Sequence, residues 1–250
     1  MARLARILPA VSLLVLTGLP PSAHGLPPAE RAWCRGVTCS GHGTCMVEGS
    51  RPFCFCDDGY AAEERECVAV REPASVWASR RSMRAAERAV EIAIRYRDND
   101  ASGVGADLRA PPWGLRHYVW RGEQWCTDFV SWVYRAAGIP LTGGSHGGWM
   151  IGNNLALREW FRRHDLWVDH ESRAWASFEP RPGDYVRFHT QSGVGHSGIV
   201  RRAEGDTLYT VEGNVGNRVR LRRFRSFRDD RRIDGIGMLT LPAARATRAR

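Results

Sequence analysis

The chain contains no lysine: all 36 of its basic residues are arginine. Beyond the first 25 residues no apolar run approaches membrane length, which excludes a transmembrane span in the remainder of the chain. There is no CxxC pair, so the spacing of a zinc knuckle is missing. No signature of a nucleic-acid-binding fold accompanies the arginines, and no stretch repeats internally.

What is present begins with a leader. Arg3 and Arg6 precede the apolar run "ILPAVSLLVLTGL", and Ala23-His24-Gly25 offers a small-residue cleavage site. This is the anatomy of a secretory signal peptide, residues 1–25, cut after Gly25; the alternative is an anchor that is never cut. No cysteine sits at the cut to take a lipid. The expected mature chain of about 225 residues is soluble, extracytoplasmic (secreted or periplasmic) and permissive for disulfides.

At 43% hydrophobic and 10% aromatic residues, that chain can bury a core. Its charge is +9, or +7 once Arg3 and Arg6 leave. Eight arginines fall between Arg218 and Arg232, and more in the basic tail 242–250. A basic surface attracts polyanions. The expected partners are anionic envelope polymers, with no specific nucleic acid; plain solubility is the blander reading.

Six of the seven cysteines lie between Cys34 and Cys67. Six cysteines allow fifteen connectivities, so spacing alone chooses none. The block 34–67, with "CDDGY" from Cys56 to Tyr60, resembles the EGF-like module. That resemblance implies the bridges Cys34–Cys45, Cys39–Cys54 and Cys56–Cys67. So short a block holds too few apolar side chains for a core, and the bridges must hold it. Where calcium-binding members are acidic this chain reads "AERAW" and "MVE", so no calcium is expected there. A spacer or docking role is expected, between linkers at 26–33 and 68–78.

Cys126 is left without a partner. In an oxidising compartment such a thiol is buried and inert, bridged to another chain, or kept for its chemistry. Helical spacing predicts one helix from Ser79, a second from about Cys126 stopped by Gly138 and Pro140, and a third from about Asn154 to His164. Between the first two, "RDNDASGVGADLRAPPWG" imitates the opening of an EF-hand loop. It places Arg109 where a bidentate Glu is needed, so a Gly-rich turn is expected instead of a calcium site. After "EPRPGD" the pattern becomes strands: "YVRFH", "HSGIVRR", "TLYTVEGN", "RVRLRRF" and "IGMLTL". Helices followed by antiparallel strands indicate an α+β domain.

A cysteine at the first turn of a helix is favoured as thiolate by the helix dipole and the free N–H groups. It needs a base, and the base needs an orienting group. If "HSGIVRR" and "TLYTVEGN" form a hairpin around Gly205, paired residue numbers sum to about 410. His196 then lies opposite Asn214 or its neighbour, with Glu212 two residues away on the same face.

"WCTDFVSWV", "RPGDYVRF", "GHSGIV" and "YTVEGN", in that order over 79–241, resemble the CHAP family, the cysteine, histidine-dependent amidohydrolases/peptidases. The resemblance implies a papain-like fold, with a helix-borne cysteine packed on an antiparallel sheet. It implies Cys126 as nucleophile, His196 as general base, Glu212 orienting the imidazole, and Asn214 as a polar helper near the oxyanion or the ring. Many members cut amide bonds in bacterial cell-wall peptides, so peptidoglycan is the implied substrate. No metal or organic cofactor is implied, and "HYVWRGEQ" lacks the Asp-rich calcium loop of some phage members. Gln124 is a candidate oxyanion donor, Asp128 is expected to face solvent or cap its helix, and Trp120, Trp125 and Trp149 are expected to pack in the core rather than line a cleft. The alternatives are an NlpC-type peptidase, or an adhesive protein whose EGF-like module works beside an inactive hydrolase-like domain.

Overall fold

The computed structural model describes residues 32–48, 51–70, 79–95, 115, 118–119 and 122–239. The leader, the EF-hand-like stretch, Trp120 and the basic tail lie outside the described residues.

The first unit is built of two ribbons. Strands β1 (Gly43–Glu48) and β2 (Arg51–Cys56) pair antiparallel, as do β3 (Tyr60–Glu63) and β4 (Glu66–Ala69). Disulfides join Cys34 to Cys45, Cys39 to Cys54 and Cys56 to Cys67, with Cα separations of 5.8, 5.5 and 5.7 Å. Buried half-cystines form most of its interior. Its largest buried side chain, Phe55, is spent elsewhere: it joins the main hydrophobic core of the following domain. The Cys56 and Ala62 N–H groups donate to the Gly143 and Gly144 carbonyls at 2.9 and 2.8 Å. Arg163 stacks on the Phe55 ring, and His164 contacts Asp58 at 3.1 Å. The unit is therefore docked along its length, not held off as a spacer.

The second unit is α+β and papain-like, with helices α1 (Ser79–Arg95), α2 (Cys126–Ala136) and α3 (Asn154–Arg163) preceding all six of its strands. The strands are β5 (Trp167–Asp169), β6 (Tyr185–Phe188), β7 (His196–Glu204), β8 (Thr207–Glu212), β9 (Arg220–Arg225) and β10 (Ile233–Gly237). They form one six-stranded antiparallel sheet in the order β5-β10-β6-β7-β8-β9. Tyr185, Ile199 and Val211 face the helices, where Phe129, Val133, Leu157 and Phe161 complete the larger core. Val186, Val200, Leu208 and Ile236 face the other way, onto Trp175 and Phe227. α3 starts where Asn153 caps it, its side chain accepting the Leu155 and Ala156 N–H groups, each at 2.9 Å.

Two strand expectations are corrected. The last strand is Ile233–Gly237, not 236–241, and β5 was not foreseen. The cause is Gly235 and Gly237, which weaken the strand signal in sequence. They are there because β10 passes tightly under aromatic rings: a Cβ on Gly237 would lie 2.5 Å from the Phe161 ring, and one on Gly235 would overlap Trp167.

Candidate active site

Cys126 is the first residue of α2, and the residue before it, Trp125, supplies no side-chain cap. The backbone N–H groups of the first turn are thus not taken up by a capping side chain, and they point at whatever lies before the helix. Trp125 is fully buried and donates its indole N–H to Asn217 Oδ1 at 3.0 Å, which anchors the helix start against the loop after β8. Cys126 is the one free cysteine among the described residues and is 3% exposed.

The β7–β8 hairpin supplies the partner. Gly198 pairs with Glu212, Ile199 with Val211 and Val200 with Thr210, each pair summing to 410; a bulge after Val200 then shifts the register by one. At the site end the register is the one the sequence suggests. His196 and Glu212 share a face, and His196 Nε2 lies 2.9 Å from Glu212 Oε2. The Glu212 side chain is 2% exposed, and its other oxygen accepts the Thr210 hydroxyl at 2.5 Å. Gly198 makes this possible, because a Cβ there would sit 2.7 Å from Glu212 Cγ.

His196 also hydrogen-bonds the Cys126 thiol, and the contact shifts both groups. Burial alone would push the Cys126 thiol up. The hydrogen bond and positive charge of His196 outweigh it, with help from Asn154 and Thr127, and the thiol ends below its ordinary value. Burial alone would likewise lower His196, yet the hydrogen bonds to Cys126 and Glu212 lift the imidazole to about 9. Both shifts run in the same direction, toward a thiolate–imidazolium pair.

Other residues reach the site that the sequence reading did not identify. Asn154 Nδ2 lies 3.6 Å from Cys126 Sγ, and Asn154 Oδ1 accepts the Ser197 hydroxyl at 2.5 Å. Thr127 and Tyr185 hydroxyls stand 3.3 and 3.2 Å from Ser197 Oγ. The only signal was "GNN" before a helix, where Asn153 takes the capping role and Asn154 is free to turn inward.

The Asn214 amide donates to Gln124 Oε1 at 2.9 Å, so the two polar candidates stand side by side. Asp128, expected in solvent or as a cap, is 2% exposed and lies under Gly152, where a Cβ would approach its Oδ1 to 2.8 Å. Trp125 and Trp149 are core residues. Among the described residues the one grouping of metal-ligand side chains is Cys39, Cys54 and Cys67, whose sulfurs are all in disulfides.

No curated protein matches the chain in sequence. Among solved structures, the crystal structure of Ly7917 resembles it at 19% identity and a TM-score of 0.35, over 61% of this chain and 62% of that one. The same protein with the hydrolyzing product of MDP gives 19% and 0.33, over 62% of each chain. NlpC1 from Trichomonas vaginalis gives 13% and 0.35, over 77% of this chain and 60% of that one. The chain thus spans about three fifths of the length of each. The family model of the CHAP domain matches residues 117–214, a stretch that holds Cys126, His196, Glu212 and Asn154, and this part of the chain is a CHAP domain.

Proposed function

We propose that the protein is a secreted cysteine amidohydrolase or endopeptidase that cleaves amide bonds of bacterial cell-wall peptides through an acyl-enzyme. In this reading residues 1–25 are a signal peptide, 34–67 an EGF-like module, 79–241 the hydrolase and 242–250 a basic tail. The observation that carries it is the union of a lone thiol at a helix start with an imidazole clamped by a buried carboxylate. The substrate follows from the CHAP domain, many members of which act on peptidoglycan.

The chemistry runs in two halves. Cys126 Sγ attacks the carbonyl carbon, and the developing oxyanion meets the N–H groups at the start of α2. His196 gives its proton to the departing amine as the C–N bond breaks. A water then surrenders a proton to His196 and attacks the thioester, the C–S bond breaks, and the thiolate–imidazolium pair is restored. Every step uses groups of the chain and water. A purely adhesive protein would have no use for a thiol held below its ordinary pKa.

The test is digestion of purified peptidoglycan, with mass spectrometry of the new amino and carboxyl ends. The parent protein should create one defined pair of ends, and Cys126→Ser should create none, because a serine hydroxyl here lacks the acidity of a thiol. Equal cleavage by Cys126→Ser refutes the reading.

A further inference from the structure

We infer that Asn154 is a further catalytic residue: its side-chain amide is the neutral hydrogen-bond donor that holds the Cys126 thiolate alongside the charged His196. The inference rests on the proposed thiol hydrolase and names a group in its site that the Cys, His and Glu reading leaves out.

The direction of the amide is fixed by its neighbours. Ser197 has one hydroxyl proton, and Asn154 Oδ1, 2.5 Å away, can only accept it. The contact between Ser197 Oγ and the Tyr185 hydroxyl at 3.2 Å must then be donated by Tyr185. Tyr185 is fully buried, and burial holds its phenol far above the ordinary range, so its proton is always there to give. The chain of donors runs from Tyr185 to Ser197 to Asn154 and ends at Cys126 Sγ, 3.6 Å from Asn154 Nδ2. Reversing the amide would turn its carbonyl toward a thiolate, which has no proton to offer it. Thr127 adds a hydroxyl 3.8 Å from the sulfur.

Each link is buried: Asn154 is 2% exposed, and Ser197 and Thr127 are not exposed at all. In such surroundings a relay of donors polarises along its length and is stronger than its separate bonds. The three links come from three elements, β6, β7 and α3, so the sulfur is fixed by packing and not by its own helix alone. His196 from β7 is the charged group at the sulfur, Glu212 from β8 acts on it through His196, and Tyr185 from β6 acts through Ser197.

The experiment is the rate of iodoacetamide alkylation of Cys126 against pH, on the full chain with its disulfides intact. The parent should react as a thiolate well below the pH at which a free cysteine does. Asn154→Ala should move the acid limb upward and cut reactivity on that limb about tenfold, as expected for loss of one hydrogen bond to a charged group. Asn154→Asp has the same shape but no N–H, and should move the limb further. A role in packing alone would leave Asn154→Asp close to the parent, and that result overturns the inference. Ser197→Ala provides a milder variant, expected to shift the limb in the same direction by less. If both the Asn154→Ala and the Ser197→Ala profiles coincide with the parent's, the inference also fails. A parent thiol that titrates like free cysteine would instead sink the hydrolase reading itself, so the two failures are told apart.

Discussion

Glu212→Gln isolates what the carboxylate adds to the site beyond holding the ring. Glutamine fits the same space: one end accepts the His196 N–H and the other donates to Thr210 Oγ1, so the ring stays where it is. What disappears is the negative charge 2.9 Å from His196 Nε2, in a side chain only 2% exposed. A hydrogen bond to a charged group contributes about 1.5–3 kcal/mol, and one pKa unit corresponds to about 1.4 kcal/mol. The imidazolium should therefore lose roughly one to two units of its elevation. The sign is set by the direction of the shift. His196 is raised to about 9, so imidazolium is the form lost as pH rises, and the alkaline limb of kcat/KM marks that loss. In Glu212→Gln the limb should move toward neutrality, with a smaller upward move of the acid limb as the thiolate loses part of its counter-charge. A synthetic cell-wall peptide assayed across the pH range, with a pH-independent structural probe as control, measures both limbs. An alkaline limb that stays in place refutes the assignment of Glu212 as the group that sustains the imidazolium.

Phe55→Ala should lower the stability of the whole described body by about 3–5 kcal/mol, as a buried phenylalanine truncation does, because this ring sits in the main core; denaturant unfolding followed by tryptophan fluorescence reads it, and loss of the N-terminal unit alone is the contrary result. Arg220, Arg222, Arg223 and Arg225 are exposed along the edge strand β9, so binding to isolated sacculi should weaken as salt rises; salt-independent binding leaves them a solvated face. Asp184 is buried and accepts the Arg181 and Leu239 N–H groups, and burial raises it to about 7. A carboxyl raised in the folded state contributes stability that is full below its ordinary value of 3.8 and lost as pH rises to about 7, so the melting temperature should fall across that range and level off above it, with a shallower slope in Asp184→Asn.

The parts of the site that lie within one hairpin were legible. Alternation along "HSGIVRR" and "TLYTVEGN", with a turn at Gly205, fixes which residues share a face, and the pairing of Gly198 with Glu212 is what that arithmetic requires. The start of α2 was legible as well, from its apolar spacing and its Gly and Pro stop. What escaped depends on contacts between elements far apart in the chain. Asn154 meets Cys126 across 28 residues, and Ser197 meets Thr127 across 70. Asp128 sits at a helical position that reads as polar surface, yet it is buried, with Gly152 passing close over it. Asn214 carries a positive φ of 59° after the ladder ends at Glu212, so strand alternation does not set the direction of its side chain.

The same limit applies to the division of the chain at 68–78, which follows composition and separates covalent units, not packing units. The segment from Ile139 to Asn153 joins the helix bearing the thiol to the helix bearing Asn154. Its near end is held by the disulfide-rich unit, through the Gly143 and Gly144 carbonyls and through Thr142, which bonds Asp58. Its far end is held by α2: Ser131 Oγ donates to the Ile151 carbonyl at 2.9 Å and accepts the Ile151 N–H at 3.2 Å. Phe53, Phe55 and Ala62 on one side and Met150, Ile151 and Asn153 on the other enclose a cavity of about 210 Å³, so the two walls meet across space as well as through bonds. A unit with little interior beyond its cystines thus fixes the strap that delivers Asn154 to the sulfur. Its bridges stabilise by limiting the unfolded chain, and their effect extends through Phe55 and Cys56 into the core that holds the helix bearing Cys126. Removing the first unit would leave Met150 and Ile151 without their cover and Gly143 and Gly144 without their donors, and the loss would be felt through Asn154 at Cys126.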